Sequence, residues 1–545
     1  MKFIRNVFII FLILTSGIVL AQTKKQTFQL RDMRKLVNLS SPRISPDGNY
    51  IAIIVSRPDW KKDKNKQKID LVNVTDGSLR SLTYNREGIS HLRWSPKGER
   101  LAFIAKDNET KKPQIFVMPM NGGDPVRITK SKTGVSEYAW SPDGKKIAFV
   151  AQDTIPNPKA IKHHEDAFHV TDNNYTVKAA VQPWHLWIVS AKGGKAKQLT
   201  EGIRSISTDQ KTITPIAWNP GGNSIIFQRF PDVWEGNSRH SIIVEVDTSG
   251  GKIRKVVDAQ GSGWASYSPT GNILAFIRPR NGDQNNGNAV YTDVNNKITD
   301  ITHKLARNIN SYAWLPSSKA MLLTGEKGTQ TVIWRQPLDG NAIQLDLGNV
   351  NLNNGSISVS KNGVVAFTGS TPLHPTELYV LTSLHAKANR LTHFNKFVDS
   401  LNLSKVKTIN WKGPDRFYED GVLNYPINYQ AGKKYPLVLV IHGGPEGAST
   451  VRFSVLPQLL AAHGFFVFQP NYRGSINLGD AYQHAIFRNT GEEWFISIEP
   501  IPGTVVQTGK ISLFVSFKFS HQFLLFAIGL FPEELVGDFC SLDED

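Results

Sequence analysis

Tyr435 to Gly447 are the residues whose types and order could do chemistry. An apolar run, Leu437-Val438-Leu439-Val440-Ile441, leads into His442-Gly443-Gly444-Pro445. Glycines after a buried strand expose backbone N–H groups. Such groups, or the side chain at His442, stabilise the oxyanion of a tetrahedral intermediate in acyl transfer. A plain strand-to-helix turn could carry the same glycines. Arg473, in Pro470-Asn471-Tyr472-Arg473-Gly474-Ser475, is a second candidate. It could reach a substrate or pair with a local carboxylate. Acyl transfer also needs a nucleophile, which such a framework places on a Gly-x-Ser-x-Gly elbow. No such elbow occurs in the 545 residues. Ser475 lies in Arg473-Gly474-Ser475-Ile476-Asn477, which is not one. Ser497, Glu499 and His521 keep the order serine, acid, histidine, but nothing around Ser497 can make an elbow. No catalytic residue is therefore assigned. The expected site is an oxyanion hole of His442, Gly443 and Gly444 without a nucleophile.

A second cluster, His163-His164-Glu165-Asp166, lies between Asp153 and Trp184. It reads as a solvated loop, a metal cluster or a substrate-facing arm. Metal ligands need a better-defined spacing and a second pair, so no metal or other cofactor is expected. In the third reading Glu165 or Asp166 faces a substrate cavity and holds a free amino group by charge.

These residues must be positioned by a framework. Leu437 to Ile441 is apolar without alternation, as in a strand covered on both faces. Val451 to His463 reads as a helix ended by Gly464, and Phe465 to Phe468 as the next buried strand. That order is a βαβ unit. Val406 to Trp411 and Val422 to Tyr429 read as strands before it.

From about residue 40 to 395 the chain repeats itself. Ser45-Pro46-Asp47-Gly48, Ser95-Pro96-Lys97-Gly98, Ser141-Pro142-Asp143-Gly144, Asn219-Pro220-Gly221-Gly222 and Ser268-Pro269-Thr270-Gly271 open successive units. Leu315-Pro316-Ser317-Ser318 and Ser360-Lys361-Asn362-Gly363 complete the set. Proline presets φ for the turn and glycine takes the positive φ that closes it. Each unit carries a second hairpin, and many end in Leu-Thr, as at Leu82-Thr83 and Leu199-Thr200. Two hairpins per unit make a four-stranded blade, and such repeats mean a β-propeller. Seven units predict seven blades. Trp94, Trp140, Trp218 and Trp314, with Tyr267 equivalent, are expected to fill the gaps between blades.

Propeller repeats followed by Lys434-Tyr435-Pro436, His442-Gly443-Gly444-Pro445 and Pro470-Asn471-Tyr472-Arg473-Gly474-Ser475 resemble the prolyl oligopeptidase family of serine peptidases. The His-Gly-Gly-Pro form is most similar to its acylaminoacyl-peptidase and bacterial dipeptidyl-peptidase branch. The resemblance implies an all-β seven-bladed propeller capping an α/β-hydrolase domain, a Ser-Asp-His triad and short peptide substrates. It covers roughly residues 30 to 491. His442, Gly443 and Gly444 match the oxyanion segment, and Arg473 a loop arginine near the site.

The expected architecture is thus a signal peptide over 1–21, a propeller with its lead-in over 22–405 and an incomplete α/β-hydrolase domain over 406–491. A tail over 492–545 is left unassigned. The tail stops resembling the family, and a frameshift or a divergent ending would each explain it. Its loss of the remaining strands would leave the edges of the parallel sheet unpaired. Lys2 and Arg5 precede an apolar run from Val7 to Leu20, and Val19-Leu20-Ala21 suits cleavage. The protein is expected to be exported, with no stable membrane span after cleavage. A single cysteine, Cys540, excludes an intrachain disulfide. The formal charge of +17 is concentrated in runs such as Lys61 to Lys68 without interleaved aromatics. Nucleic acid is therefore not an expected partner. Three functions compete: an exported serine peptidase, inactive as this chain stands; a non-catalytic propeller binding a peptide or envelope protein; and a lipase or esterase. The oxyanion segment disfavours the second and the propeller the third.

Overall fold

The computed structural model describes residues 25–487, apart from 85, 169–178, 210, 212, 414–416 and 445, together with 515–519 and 522–529. The proposed signal peptide, and Ser497, Glu499 and His521, lie outside the described residues.

Among the described residues, 38–390 form seven four-stranded antiparallel sheets, each made of four consecutive strands. The turn chemistry acts locally. Ser45 Oγ donates to Asp47 Oδ1 at 2.5 Å, and Gly48 N–H closes on Ser45 O at 2.9 Å. The turns also touch one another. A Cβ on Gly98 would lie 3.3 Å from Pro46 Cδ, and Gly98 holds φ at +79°. Glycine is thus required there for its conformation and for the proline of the preceding turn.

Neighbouring sheets share hydrophobic clusters. Ile54 and Phe103 join the first two, Ile104 and Phe149 the next pair, and so on around to the seventh. The cluster of Leu39, Ile53, Ala366 and Val380 joins the seventh sheet to the first. Trp94, Trp140 and Trp218 fill these gaps as expected. Their indole N–H groups donate to the carbonyls of Arg43, Arg93 and Ala139 in the preceding sheet. Trp314 packs in the same way, its N–H without a partner among the described residues.

The Leu-Thr pairs, and Ile128-Thr129 and Ile301-Thr302 with them, have a shared role. Thr83, Thr129, Thr200, Thr302 and Thr392 lie two residues past their fourth strands. Each hydroxyl accepts the N–H of Ile69, Ile115, Leu186, Val290 or Leu378 in the adjoining third strand, at 2.9–3.2 Å.

Antiparallel order gives the ring two faces. Turns between strands one and two, and three and four, lie on one face, here the turn face. Connections between strands two and three, and from one sheet to the next, lie on the other, the docking face.

The elements after residue 405 form a second unit seated on the docking face. They are β1 (Val406–Lys412), β2 (Tyr418–Asn424), β3 (Leu437–Ile441), α1 (Val455–Ala462), β4 (Phe466–Asn471), α2 (Asp480–His484), β5 (Val515–Phe519) and β6 (Gln522–Gly529). The sheet order is β1-β2-β4-β3-β6-β5, with β3 and β4 parallel. Three sequence expectations are corrected. The helix begins at Val455 and not Val451, because Val451 N–H is taken by Thr329 O of the sixth propeller sheet at 2.8 Å. The strand after Gly413 begins at Tyr418 and not Val422, because Tyr418 to Gly421 pair with Lys412 to Ile409. The free edge of β3 is not left open, since β6 pairs with it antiparallel from Leu437↔Gly529 to Ile441↔Leu525.

Hydrogen bonds seat this unit on sheets five to seven. Gly328 N–H donates to Asn477 O, Asn351 Nδ2 to Val451 O and Gln483 Nε2 to Asn285 O. Arg280 pairs with Asp480. Near the amino terminus, Gln26–Thr27 pairs in parallel with Leu401–Asn402, and Phe28 meets Phe453 edge-on at 5.8 Å.

Candidate active site

His442 leaves the carboxyl end of β3, where ligands of parallel α/β sheets bind. It meets the loop after β4, so the two motifs separated in sequence form one structure. His442 Nε2 lies 3.1 Å from Ser475 Oγ, and Ser475 Oγ donates to Tyr472 O at 2.5 Å. The serine proton is thereby committed. The hydroxyl accepts from the histidine; this shorter contact takes the imidazole proton on Nε2 and leaves Nδ1, 3.4 Å from Gly443 O, without one. Tyr472 O–H donates to His442 O at 2.6 Å, and the two rings stack with centroids 4.6 Å apart. Burial pushes the His442 pKa down to about 4, so the ring is neutral near pH 7.

A second lacing runs beside it. Asn471 Nδ2 donates to Asp420 Oδ1 at 2.7 Å and to Ser449 O, while Asn471 Oδ1 accepts Ser449 N–H at 2.6 Å. Asn477 Nδ2 also reaches Asp420 Oδ1, at 2.8 Å. Burial raises the Asp420 pKa, and the two amide donors oppose that rise. The loop holding Gly443 and Gly444 is thus anchored at both ends.

Within that loop the N–H groups of Gly443 and Gly444 have no acceptor among the described residues. Gly444 holds φ at +137°, and a Cβ there would lie 2.6 Å from Glu446 N. Two free backbone donors after a parallel strand are what an oxyanion needs. The His442 side chain is differently employed: its donating nitrogen faces Ser475.

Ser475 and His442 resemble a nucleophile and base in distance alone. Ser475 is fully buried, and among the described residues no carboxylate pairs with His442. Both features are unlike a triad.

Arg473 is buried, with Nε 3.5 Å from Glu419 Oε1 and its guanidinium 5.8 Å from the Phe417 ring centroid. Glu419 also accepts Trp411 Nε1–H at 3.0 Å. The structure therefore places Arg473 against the base of β1 and β2, on a local carboxylate.

Glu165 is exposed and Asp166 half-buried, just beyond the short helix Pro158–Lys162. They lie between strands two and three of the third sheet, Lys146–Gln152 and Trp184–Ser190, and so on the docking face. The hydrogen bonds around His442 and Arg473 among the described residues do not involve them.

Sequence reasoning missed the partnership of Ser475 and Tyr472 with His442, and of Asn471 with Asp420. The signal was present in the run Pro470 to Ser475, but which side chain it would meet depends on how β3 and β4 pair.

Comparisons with known proteins bear on the fold. The family model described as the TolB beta propeller domain matches residues 14–169. An uncharacterized peptidase of Bacillus subtilis is 25% identical over 494 residues, covering 85% of this chain and 73% of that one. Dipeptidyl-peptidase 5 of Porphyromonas gingivalis is 22% identical, covering 84% and 69%. Among solved structures, an acylaminoacyl peptidase in complex with Z-Gly-Gly-Phe-chloromethyl ketone has a TM-score of 0.71 at 19% identity, over 87% of this chain and 71% of that one. The acylaminoacyl peptidase of Pyrococcus horikoshii gives 0.69 at 18%, over 86% and 70%. At those identities the structural likeness speaks for the fold.

Proposed function

We propose, starting from a chain that fits the prolyl oligopeptidase family of serine peptidases, that this is an exported protein built to handle short peptides. We further propose that its 545 residues alone form no acyl-enzyme. The observation that carries the reading is the pair of free N–H groups at Gly443 and Gly444, held at the end of β3 beside a propeller face. The seven sheets serve as the full set of blades, and their ring limits access to peptides in place of folded proteins. Glu165 or Asp166, on the docking face, offers a carboxylate for a peptide's amino group. A relative named a dipeptidyl-peptidase supports that assignment. The amino-terminal pattern of Lys2, Arg5 and Val7 to Leu20 supports export.

Catalysis needs an activated serine as well as the oxyanion donors. Losing one donor of a hole costs about 10²–10³ in rate, but a hole without a nucleophile has no acyl transfer to accelerate. A fluorophosphonate probe should therefore label no serine of the purified chain, and aminoacyl and dipeptidyl chromogenic substrates should stay intact. Stoichiometric labelling of any serine would overturn the inactivity. The peptide reading is tested separately by fluorescence anisotropy: a labelled hexapeptide should bind. Failure to bind any short peptide would remove it. A second reading, a propeller that binds peptides without cleaving them, is favoured by the absence of any Gly-x-Ser-x-Gly in these residues.

A further inference from the structure

The first strands of the seven sheets lie against one another around the ring axis. Burial falls toward the turn ends of most of them. Leu92, Tyr138 and Ile216, three residues before their turn openers, are buried. Residues one position closer to the turns are all partly exposed. Strands flanked by neighbouring sheets are wetted along the axis or at the turn face, so the turn-face end of the axis is a water-accessible channel mouth. Five of these partly exposed positions are small: Ala139, Ala217, Ser266, Ala313 and Ser358. The other two are Arg43 and Arg93. Both stand two residues before their turns, at Ser45 and Ser95, and so at the channel end away from the docking face.

The charges there do not balance. Glu137 is nearly fully buried and is engaged by Arg93, with Nη1 2.5 Å from Oε1. The Arg93 guanidinium also lies 5.1 Å from the Tyr138 ring centroid. His91 Nε2 is 3.6 Å from the other Glu137 oxygen, and burial holds His91 below the usual histidine range. Arg43 gives one hydrogen bond, to Pro42 O at 2.9 Å, and has no carboxylate at ion-pair distance among the described residues. Burial, with repulsion from Arg93, pushes its pKa down to about 10, so it remains charged at neutral pH. One positive charge is left over at a partly exposed position, free to pair with an entering anion. A planar guanidinium suits a carboxylate.

We propose that Arg43 and Arg93 form an anion site at the turn-face mouth of the channel, whose ligand is a free carboxylate of a short peptide, at its C-terminus or on an acidic side chain. The peptide as bearer rests on the function proposed above, whereas the anion site does not.

Isothermal titration of the full chain tests this. The probes are glutarate, tetraglycine, tetraglycine amide and the amide of Gly-Gly-Asp-Gly. Glutarate and tetraglycine should bind, and tetraglycine amide should bind about tenfold more weakly or worse. Binding of the aspartyl amide assigns the side-chain source, and its absence assigns the C-terminus. Arg43→Gln should weaken glutarate and tetraglycine by about tenfold. That variant breaks no ion pair, and an unchanged thermal melt checks its fold. Lys97→Gln, the same charge change at an exposed turn residue, should leave binding intact. The anion site is overturned if glutarate does not bind, or binds Arg43→Gln as it binds the parent. Glutarate binding with neither peptide acid bound overturns the peptide as ligand and leaves the anion site standing.

Discussion

At His442 the position of one proton decides what the residue can do. The Nε2 proton is given to Ser475, whose own proton goes to Tyr472 O. The ring is therefore a fixed strut at the root of the glycine loop. Its pKa, pushed down to about 4 by burial, makes the strut sensitive to acid in a defined direction. The unfolded chain takes up a proton near pH 6.5, and the folded ring resists it until about pH 4. The stability gained by keeping the ring neutral is full above about pH 6.5 and is lost as pH falls toward 4. Between pH 6.5 and 5 this amounts to about 2 kcal/mol. The urea midpoint for unfolding the β1–β4 unit should drop over that interval, and His442→Gln should flatten the drop. An equally steep drop in the variant would assign the acid sensitivity to other groups.

The smallest element that holds a blade together is the threonine after its fourth strand. Thr200 Oγ1 accepts Leu186 N–H at 2.9 Å, and both are buried. Thr200→Val keeps the shape and leaves that N–H unpaired, which costs about 1–3 kcal/mol. Thr200→Ser keeps the acceptor and should cost less. Chemical denaturation of the two variants gives the comparison, and equal losses would mean that the methyl group matters more than the hydroxyl. The Leu-Thr pairs were visible in the sequence as a repeated ending, but not their purpose, because the N–H they satisfy lies on the adjoining strand. The same division runs through the molecule. Turns such as Ser45 to Gly48 were legible because proline and glycine act on their own backbone. The tryptophans were legible because a large indole recurring before a turn needs a gap to fill. The start of α1 was not legible, since Thr329 in the propeller takes Val451 N–H. The two site motifs could be read separately, yet the meeting of His442 with Ser475 could not. It depends on the parallel register Leu437↔Phe466, which no local pattern encodes.

For the whole molecule the question is what keeps a ring of independent sheets shut. Each sheet uses four consecutive strands, so no sheet is shared between the two ends of the repeat. Closure must come from packing and hydrogen bonds across residues distant in sequence, and joining the ends costs conformational entropy. Asn395 carries much of that closure. Its Oδ1 accepts Val37 N–H at 2.8 Å, and its Nδ2 donates to Val37 O and Thr376 O, each at 3.0 Å. Its own N–H is held by Glu377 Oε1 at 2.8 Å, in a site where Asn395 is 2% exposed. Asn395→Ala leaves both polar groups of Val37 without this partner, a loss of about 2–4 kcal/mol for two buried groups. Between the first and seventh sheets themselves, Ser358 Oγ accepts Ile44 N–H, Lys361 N–H donates to Pro46 O and Asn362 Nδ2 to Asp47 O, all at the turn-face end. The variant should therefore open at the docking-face end first. Hydrogen exchange should quicken at Asn38 to Ser40 and at Gly369 to Thr371, and stay slow at Ile147 to Val150 in the third sheet. Uniform quickening over all seven sheets would show a ring that opens only as one unit. No quickening at all would mean that the cluster of Leu39, Ile53, Ala366 and Val380 closes the ring by itself.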